Sequence, residues 1–214
     1  VYKDHYYNYI DDGITINEPI INTVKNGKIH NIDLIIGSNN DEYSLYFGGI
    51  ADVDGWLNAE VSDKQKNKLT KLLSNIDDPI RKLDLLITAK NFVCPSLLIA
   101  KTVNLSGGNS WVYQFNRVRD DPKALKYGAF HGAELPYVFD THDEWLPTND
   151  IDRKITEEVQ SYWVQFSKTG NPNLEQKMWD PYSAQTNSTF IINEKSYSSS
   201  HPSYEICKIM EPSW

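Results

Sequence analysis

The chain has 214 residues, 40% of them hydrophobic and 12% aromatic, which is enough apolar side chain for a sizeable core in one domain or at most two. A formal charge of -8 and a pI near 5.1 argue against a nucleic-acid partner, because neutralising phosphates takes clustered Lys and Arg. Apolar runs are short, such as Leu97 to Ala100, so no transmembrane segment of roughly 20 residues is predicted. Val1 to Ile10 lacks the apolar core of a signal peptide, and the absence of an initial methionine predicts a partial or processed chain.

Taken in order, Ile14 to Asn26 mixes Pro19 with apolar and polar residues and ends in the Asn26-Gly27 turn. Ile32 to Gly37 is β-branched, almost continuously apolar and stopped by glycine, which predicts a short buried strand. The loop Ser38 to Glu42 follows, and a loop at the carboxyl end of a buried parallel strand is a favoured place for chemistry. Asp41 and Glu42 at that place can equally stabilise the start of a following helix through its dipole. Helices are predicted over Ser62 to Ser74, with Leu69, Leu72 and Leu73 at helical spacing, and from Asp78-Pro79, with Ile80, Leu83, Leu86 and Ile87 inward. Asn91 to Val103 continues as helix, with Pro95 either in a first turn or breaking it.

Asn104 to Ser110 is a predicted surface turn, and Trp111 to Phe115 an aromatic, β-branched strand. A polar linker, Asn116 to Lys126, leads to Tyr127-Gly128-Ala129-Phe130-His131-Gly132-Ala133-Glu134-Leu135-Pro136-Tyr137-Val138-Phe139. This loop sets one histidine between two glycines. The strongest helix pattern runs from Asp152 to Lys168, with Ile155, Val159, Tyr162 or Trp163, and Phe166 on one stripe and a stop at Gly170 and Pro172. Thr189 to Ile192 is a last strand, and Ser196 to Ser200 is a polar turn or flexible stretch.

An imidazole titrates near neutrality, so His131 is a candidate general base. Its nucleophile is not evident: the chain has no Gly-x-Ser-x-Gly elbow, and neither Ser38 nor Ser106 is in that setting. No Walker loop, Gly-x-Gly-x-x-Gly or zinc-binding histidine pair occurs, and no cofactor or metal is predicted. His142, in Thr141-His142-Asp143-Glu144, is read as a surface residue. Cys94 and Cys207 stand 113 positions apart without a Cys-x-x-Cys pattern, and are either buried thiols or a bonded pair closing a long loop. Two sequons, at Asn104 and Asn187, lie in polar surroundings and are glycosylation candidates. With the even cysteine count they point to an oxidising, extracellular setting.

Several of these stretches together resemble the C-terminal part of the type B carboxylesterase and cholinesterase family, an α/β-hydrolase group. Ile35 to Glu42 resembles its Gly-x-Asn-x-Asp-Glu element, and Gly128 to Phe139 its His-Gly-x-Glu-Leu-Pro-Tyr-Val-Phe block. Trp163 to Asn173 resembles its tryptophan helix ending in Phe-x-Lys-Thr-Gly-Asn-Pro-Asn, and Trp179 to Tyr182 its closing tryptophan segment. The resemblance implies an α/β fold of mostly parallel strands with flanking helices, residues 1–214 forming the C-terminal segment of a single domain. It implies Glu42 as triad acid, His131 as base, a Cys94–Cys207 disulfide, a carboxylic ester substrate and secretion. The serine elbow and oxyanion glycines would lie in a missing upstream part of the same domain. Members commonly carry glycine after the triad glutamate, whereas Tyr43 stands here, and Tyr43, Phe47 and Trp56 are candidate pocket or core aromatics. The rival reading is a cholinesterase-like adhesion or binding protein without catalysis.

Overall fold

The structure, a computed structural model, describes residues 12–29, 31–142, 147–174 and 179–211, so Val1 to Ile10 lies outside the described residues. After a short helix α1 (Ile20–Lys25), strand β1 (Asp33–Asn39) opens the sheet. The chain then crosses over through α2 (Val53–Glu60), α3 (Asp63–Leu72), α4 (Pro79–Thr88) and α5 (Cys94–Leu105) to β2 (Asn109–Phe115). β1 and β2 pair in parallel with Asp33 opposite Asn109 and Asn39 opposite Phe115. Such pairing requires a long crossover, here helical. The helices α6 (Pro122–Tyr127), α7 (Leu135–Phe139) and α8 (Asp150–Thr169) precede β3 (Ser188–Ile192), which pairs in parallel with β2.

The two-residue period of a strand explains the layering. Trp111 and Phe115 of β2 join a cluster with Phe130, Tyr137, Ile155, Val159 and Trp179, whereas Val112 between them joins Leu69, Leu86, Val93, Leu97 and Ile206 on the other face. Helices therefore cover both sides of the sheet, as its nearly unbroken apolar strands require. α8 follows its predicted stripe: Ile155, Val159 and Tyr162 are buried, and Trp163 packs at the margin against Tyr113, with ring centroids 5.3 Å apart. Asn149 caps this helix by accepting the Ile151 and Asp152 N–H groups, and Gly170 ends it at φ 73°.

Three expectations are corrected. The stretch Ser196 to Ser200 is not a free turn: β4 (Tyr197–Ser200) runs antiparallel to β3, with Tyr197 opposite Ile191. Serine has little strand preference of its own, and the ladder offered by β3 overrides it. Second, the run from Pro79 to Leu105 forms one 27-residue helix, long and apolar enough by length and composition to cross a membrane. Within the fold 61% of its apolar window is buried, and it is the core helix on one face of the sheet. Pro95 is accommodated by a π-helical turn over Ala89–Val93. A proline cannot donate to the carbonyl four residues back, and the wider turn relieves the clash with it. Third, His142 is no surface residue. Its side chain is 1% exposed, and its Nε2 lies 2.7 Å from the Thr156 hydroxyl. Burial and the nearby Arg119 and Arg153 guanidinium groups push its pKa down, which favours neutral imidazole.

Cys94 and Cys207 form a disulfide joining α5 to α9 (Tyr204–Met210). The two sequon asparagines both hold Tyr182 beside it. Asn104 donates Nδ2–H to the Tyr182 carbonyl at 2.9 Å, and Asn187 accepts the Tyr182 hydroxyl at 3.3 Å. Asn187 is buried and Asn104 lies in the last turn of α5, so neither stands free on a polar loop.

At the start of α9, buried His201 accepts the Ser203 N–H through Nδ1 at 3.1 Å. Burial pushes its pKa down to about 3. The folded state therefore disfavours the imidazolium, and the stability this group contributes is present above its ordinary value and lost as pH falls towards about 3. At 1.36 kcal/mol per unit below a value of about 6.5, stability is expected to drop by about 2 kcal/mol between about pH 7 and about pH 5. Denaturant unfolding at the two pH values checks this, with His201→Gln flattening the slope; an equally steep slope in the variant assigns the loss to other groups.

Candidate active site

Two loops meet where β1 and β2 end. Asn40 donates its N–H to the Phe115 carbonyl at 3.0 Å, which extends the β1–β2 ladder by one step beyond the strand. The chain then turns, and Asp41 ties the first loop to the second. Its N–H donates to the Ala129 carbonyl at 3.0 Å, and its Oδ2 accepts the Ala129 N–H at 2.8 Å. Gly128 follows α6 at φ 68°, and a Cβ there would stand 2.4 Å from Asp41 Oδ2. Only glycine leaves room for that carboxylate at this backbone angle. A second glycine, Gly37, lets β1 pass Tyr113, whose carbonyl oxygen would lie 2.3 Å from an added Cβ.

On this frame Glu42 is 4% exposed. Its Oε1 accepts the Asn39 N–H at 2.7 Å, and its Oε2 lies 2.6 Å from His131 Nδ1. Burial pushes the Glu42 pKa up, while the Asn39 N–H and the imidazole pull it back and Glu134 pushes it up further. The pair is thus a buried carboxylate under an imidazole whose side chain is 51% exposed. Among the described residues no group bonds to His131 Nε2, which leaves that nitrogen available for a proton. The Phe92 ring, presented by the π-helical turn, packs on the imidazole at 5.5 Å and 54°. Tyr43 packs on Phe92 and on Phe47, each at 6.3 Å. Trp56 belongs elsewhere: it packs on the α5 side of the sheet beneath the Lys90 ammonium.

Tyr43 is compatible with its place, because its φ is not positive, so glycine is not demanded there. The other residues that build the site are Asn39, Asp41 and Glu134. Asn39 Nδ2 donates to the Phe130 carbonyl at 2.8 Å and to Glu134 Oε2, tying the acid loop to the base loop a second time. Their signal was in the sequence, as the polar positions of the two motifs around Glu42 and His131, but no catalytic role calls attention to them. With both cysteines bonded, there is no free thiol to act as nucleophile.

The carboxylesterase family profile matches residues 57–209. The para-nitrobenzyl esterase of Bacillus subtilis (strain 168) is 28% identical over 197 residues, which cover 86% of this chain and 39% of that protein. The crystal protein of Dictyostelium discoideum is 25% identical over 202 residues, 85% of this chain and 37% of its own length. Among solved structures, a PNB esterase superposes over 96% of this chain and 44% of its own with a TM-score of 0.76 at 24% identity. A Geobacillus stearothermophilus carboxylesterase superposes over 97% and 46% with a TM-score of 0.78 at 20% identity. The fold is therefore that of the α/β-hydrolase esterases, and the chain spans under two fifths of the length of these curated relatives. With more than half of its residues inside the family profile, the chain belongs to the carboxylesterase family.

Proposed function

We propose that this chain is the C-terminal segment of a single serine carboxylesterase domain and supplies the acid, Glu42, and the base, His131, of its catalytic triad. The observation that carries this reading is the 2.6 Å contact between Glu42 Oε2 and His131 Nδ1 with Nε2 left open. The serine and oxyanion donors come from a segment outside this chain. In the complete enzyme, Nε2 takes the serine proton as Oγ attacks the carbonyl of a carboxylic ester. Glu42, accepting Nδ1–H, fixes the tautomer and stabilises the imidazolium. The same proton then passes to the departing alkoxide. Water, deprotonated by the neutral imidazole, hydrolyses the acyl-serine and returns the serine its proton.

The surface around the pair supports an additional segment. β1 has no strand along its other edge among the described residues, and an open parallel edge calls for cover. Tyr46 and Ile50, on the loop after Glu42, are 64% and 81% exposed. The disulfide fits an oxidising compartment, and we place the protein outside the cell on that ground.

The purified 214-residue chain is expected to show no turnover of p-nitrophenyl esters above the rate of free imidazole. Mixing with the nucleophile-bearing segment is expected to restore turnover. Robust activity from the chain alone, abolished by a serine-directed inhibitor, would sink the assignment of an external nucleophile.

A further inference from the structure

α4 carries a carboxylate on its inward face. Its apolar stripe of Leu83, Leu86 and Ile87 is interrupted by Asp84, which is 2% exposed. Burying a carboxylate is costly unless its oxygens are satisfied. Desolvation, the largest influence on this group, pushes its pKa up to about 6. Folding therefore holds Asp84 where its charge is disfavoured, and its bonds show where that arrangement acts. Oδ1 accepts the Tyr43 N–H at 2.8 Å, across 41 positions of sequence, and Oδ2 accepts from Arg81 Nη1 at 3.1 Å. The same guanidinium group is paired with Asp41.

These contacts bracket Glu42. On its N-terminal side, Asp41 is bonded through backbone and side chain to Ala129, two residues before His131. On its C-terminal side, the Tyr43 N–H is held by Asp84, and the Tyr43 ring packs on Phe92. Beyond Tyr43, Ser44 Oγ donates to the Tyr127 carbonyl, and the loop then turns on its own backbone bonds, such as Tyr46 N–H to the Tyr43 carbonyl at 2.9 Å. The first of these ties sets the spacing between the two loops; the second sets the direction in which the Glu42 backbone leaves. A carboxylate reaching an imidazole at 2.6 Å needs both, because a Cα displacement of about an ångström exceeds the tolerance of a catalytic hydrogen bond.

We propose that Asp84 is a positioning residue: its buried carboxylate oxygen, by accepting the Tyr43 N–H, fixes the loop so that Glu42 meets His131. This rests on the triad reading only for its catalytic consequence, since the positioning itself is a property of the 214-residue chain. Arg81 holds the carboxylate in turn, and Thr88 Oγ1 borders it at 3.5 Å. The accepting oxygen is the working part, so asparagine is the conservative replacement and leucine the shape-matched one that removes the acceptor.

The test is proton NMR of the isolated chain, following the His131 Nδ1–H resonance, which a short bond to a carboxylate moves far downfield. Glu42→Gln is expected to abolish the downfield signal and so identify it. Asp84→Leu and Asp84→Ala are expected to lose it, while Asp84→Asn keeps it. In wild-type protein, needing no variant, the Tyr43 amide is expected to exchange at least about 100-fold more slowly than the amides of exposed Gly48 and Gly49, which donate to no group among the described residues, consistent with a buried bond. Retention of the downfield signal in a folded Asp84→Leu or Asp84→Ala chain overturns the proposal. So does its loss in a folded Asp84→Asn chain, or a Tyr43 amide that exchanges as fast as those of Gly48 and Gly49. An inactive complete enzyme with these NMR results intact would count against the triad reading and leave the positioning role standing.

Discussion

In the complete enzyme, Glu42→Gln is expected to lower kcat by about 10⁴, and His131→Ala by at least as much, with KM little changed. Neither side chain contributes appreciable ground-state binding in the proposed mechanism. Both act on charge that develops only as the serine proton moves, so their loss falls on kcat and on kcat/KM alike. Glutamine keeps the size of Glu42 and presents either a neutral acceptor or an N–H to Nδ1, which removes the stabilisation of the imidazolium and allows the wrong tautomer. Glu42→Asp gives a more discriminating result. The backbone on either side of Glu42 is held by Ala129 and by Asp84, so it cannot move to restore a contact shortened by one methylene. An intermediate loss is therefore expected rather than recovery. Steady-state kinetics on the three variants checks this series, and wild-type rates from His131→Ala or Glu42→Gln would refute both roles.

Glu42 and His131 were legible as candidates chiefly through the resemblance of the ordered motifs around them to the carboxylesterase family; strand position alone left Glu42 open as a residue that stabilises a helix start. β1, β2 and β3 were legible as strands from their apolar runs, although β2 begins two residues before Trp111, at Asn109, and β1 runs on through Ser38 and Asn39, which are its buried residues while its apolar run is only half-buried. Asp84 was not legible. A single acidic residue in a helix otherwise patterned by leucines reads as a solvent-facing position, and only packing shows that its stripe turns inward. His142 was hidden in the same way: Arg119 and Thr156, its partners, are remote in sequence, and burial follows from Tyr137 packing against its ring at 5.1 Å. Asp152 adds a third case, a carboxylate at the start of α8 that is fully buried between Arg117 Nε at 2.8 Å and the Tyr137 hydroxyl at 2.7 Å. Polar residues are placed by long-range partners that periodicity cannot see. Apolar ones are placed by the period itself.

Replacing Cys94 and Cys207 together by alanine is expected to destabilise the chain by up to about 4.8 kcal/mol, the chain-entropy value for the 113-position loop they close. For a protein of this size that corresponds to a fall in Tm of about 10 to 20 °C. The bond joins α9 to the core helix, and the loop it closes contains β2, His131, α8 and β3 but not β1 or Glu42. Its loss thus enlarges the unfolded ensemble of most of the sheet and weakens the whole transition. α9 has its own anchors, since Ile206 and Met210 are buried and Gln65 Nε2 donates to the Ile209 carbonyl at 3.0 Å. Below the transition the variant is therefore expected to keep α9 docked and to retain the downfield His131 proton of the wild-type chain. Calorimetry and proton NMR on the same sample separate the two effects. An unchanged Tm accompanied by fraying of α9 would show that the bond secures only the end of the chain; a lowered Tm with the His131 signal intact shows that it acts on the unfolded state and leaves the geometry of the pair to Asp41, Asn39 and Asp84.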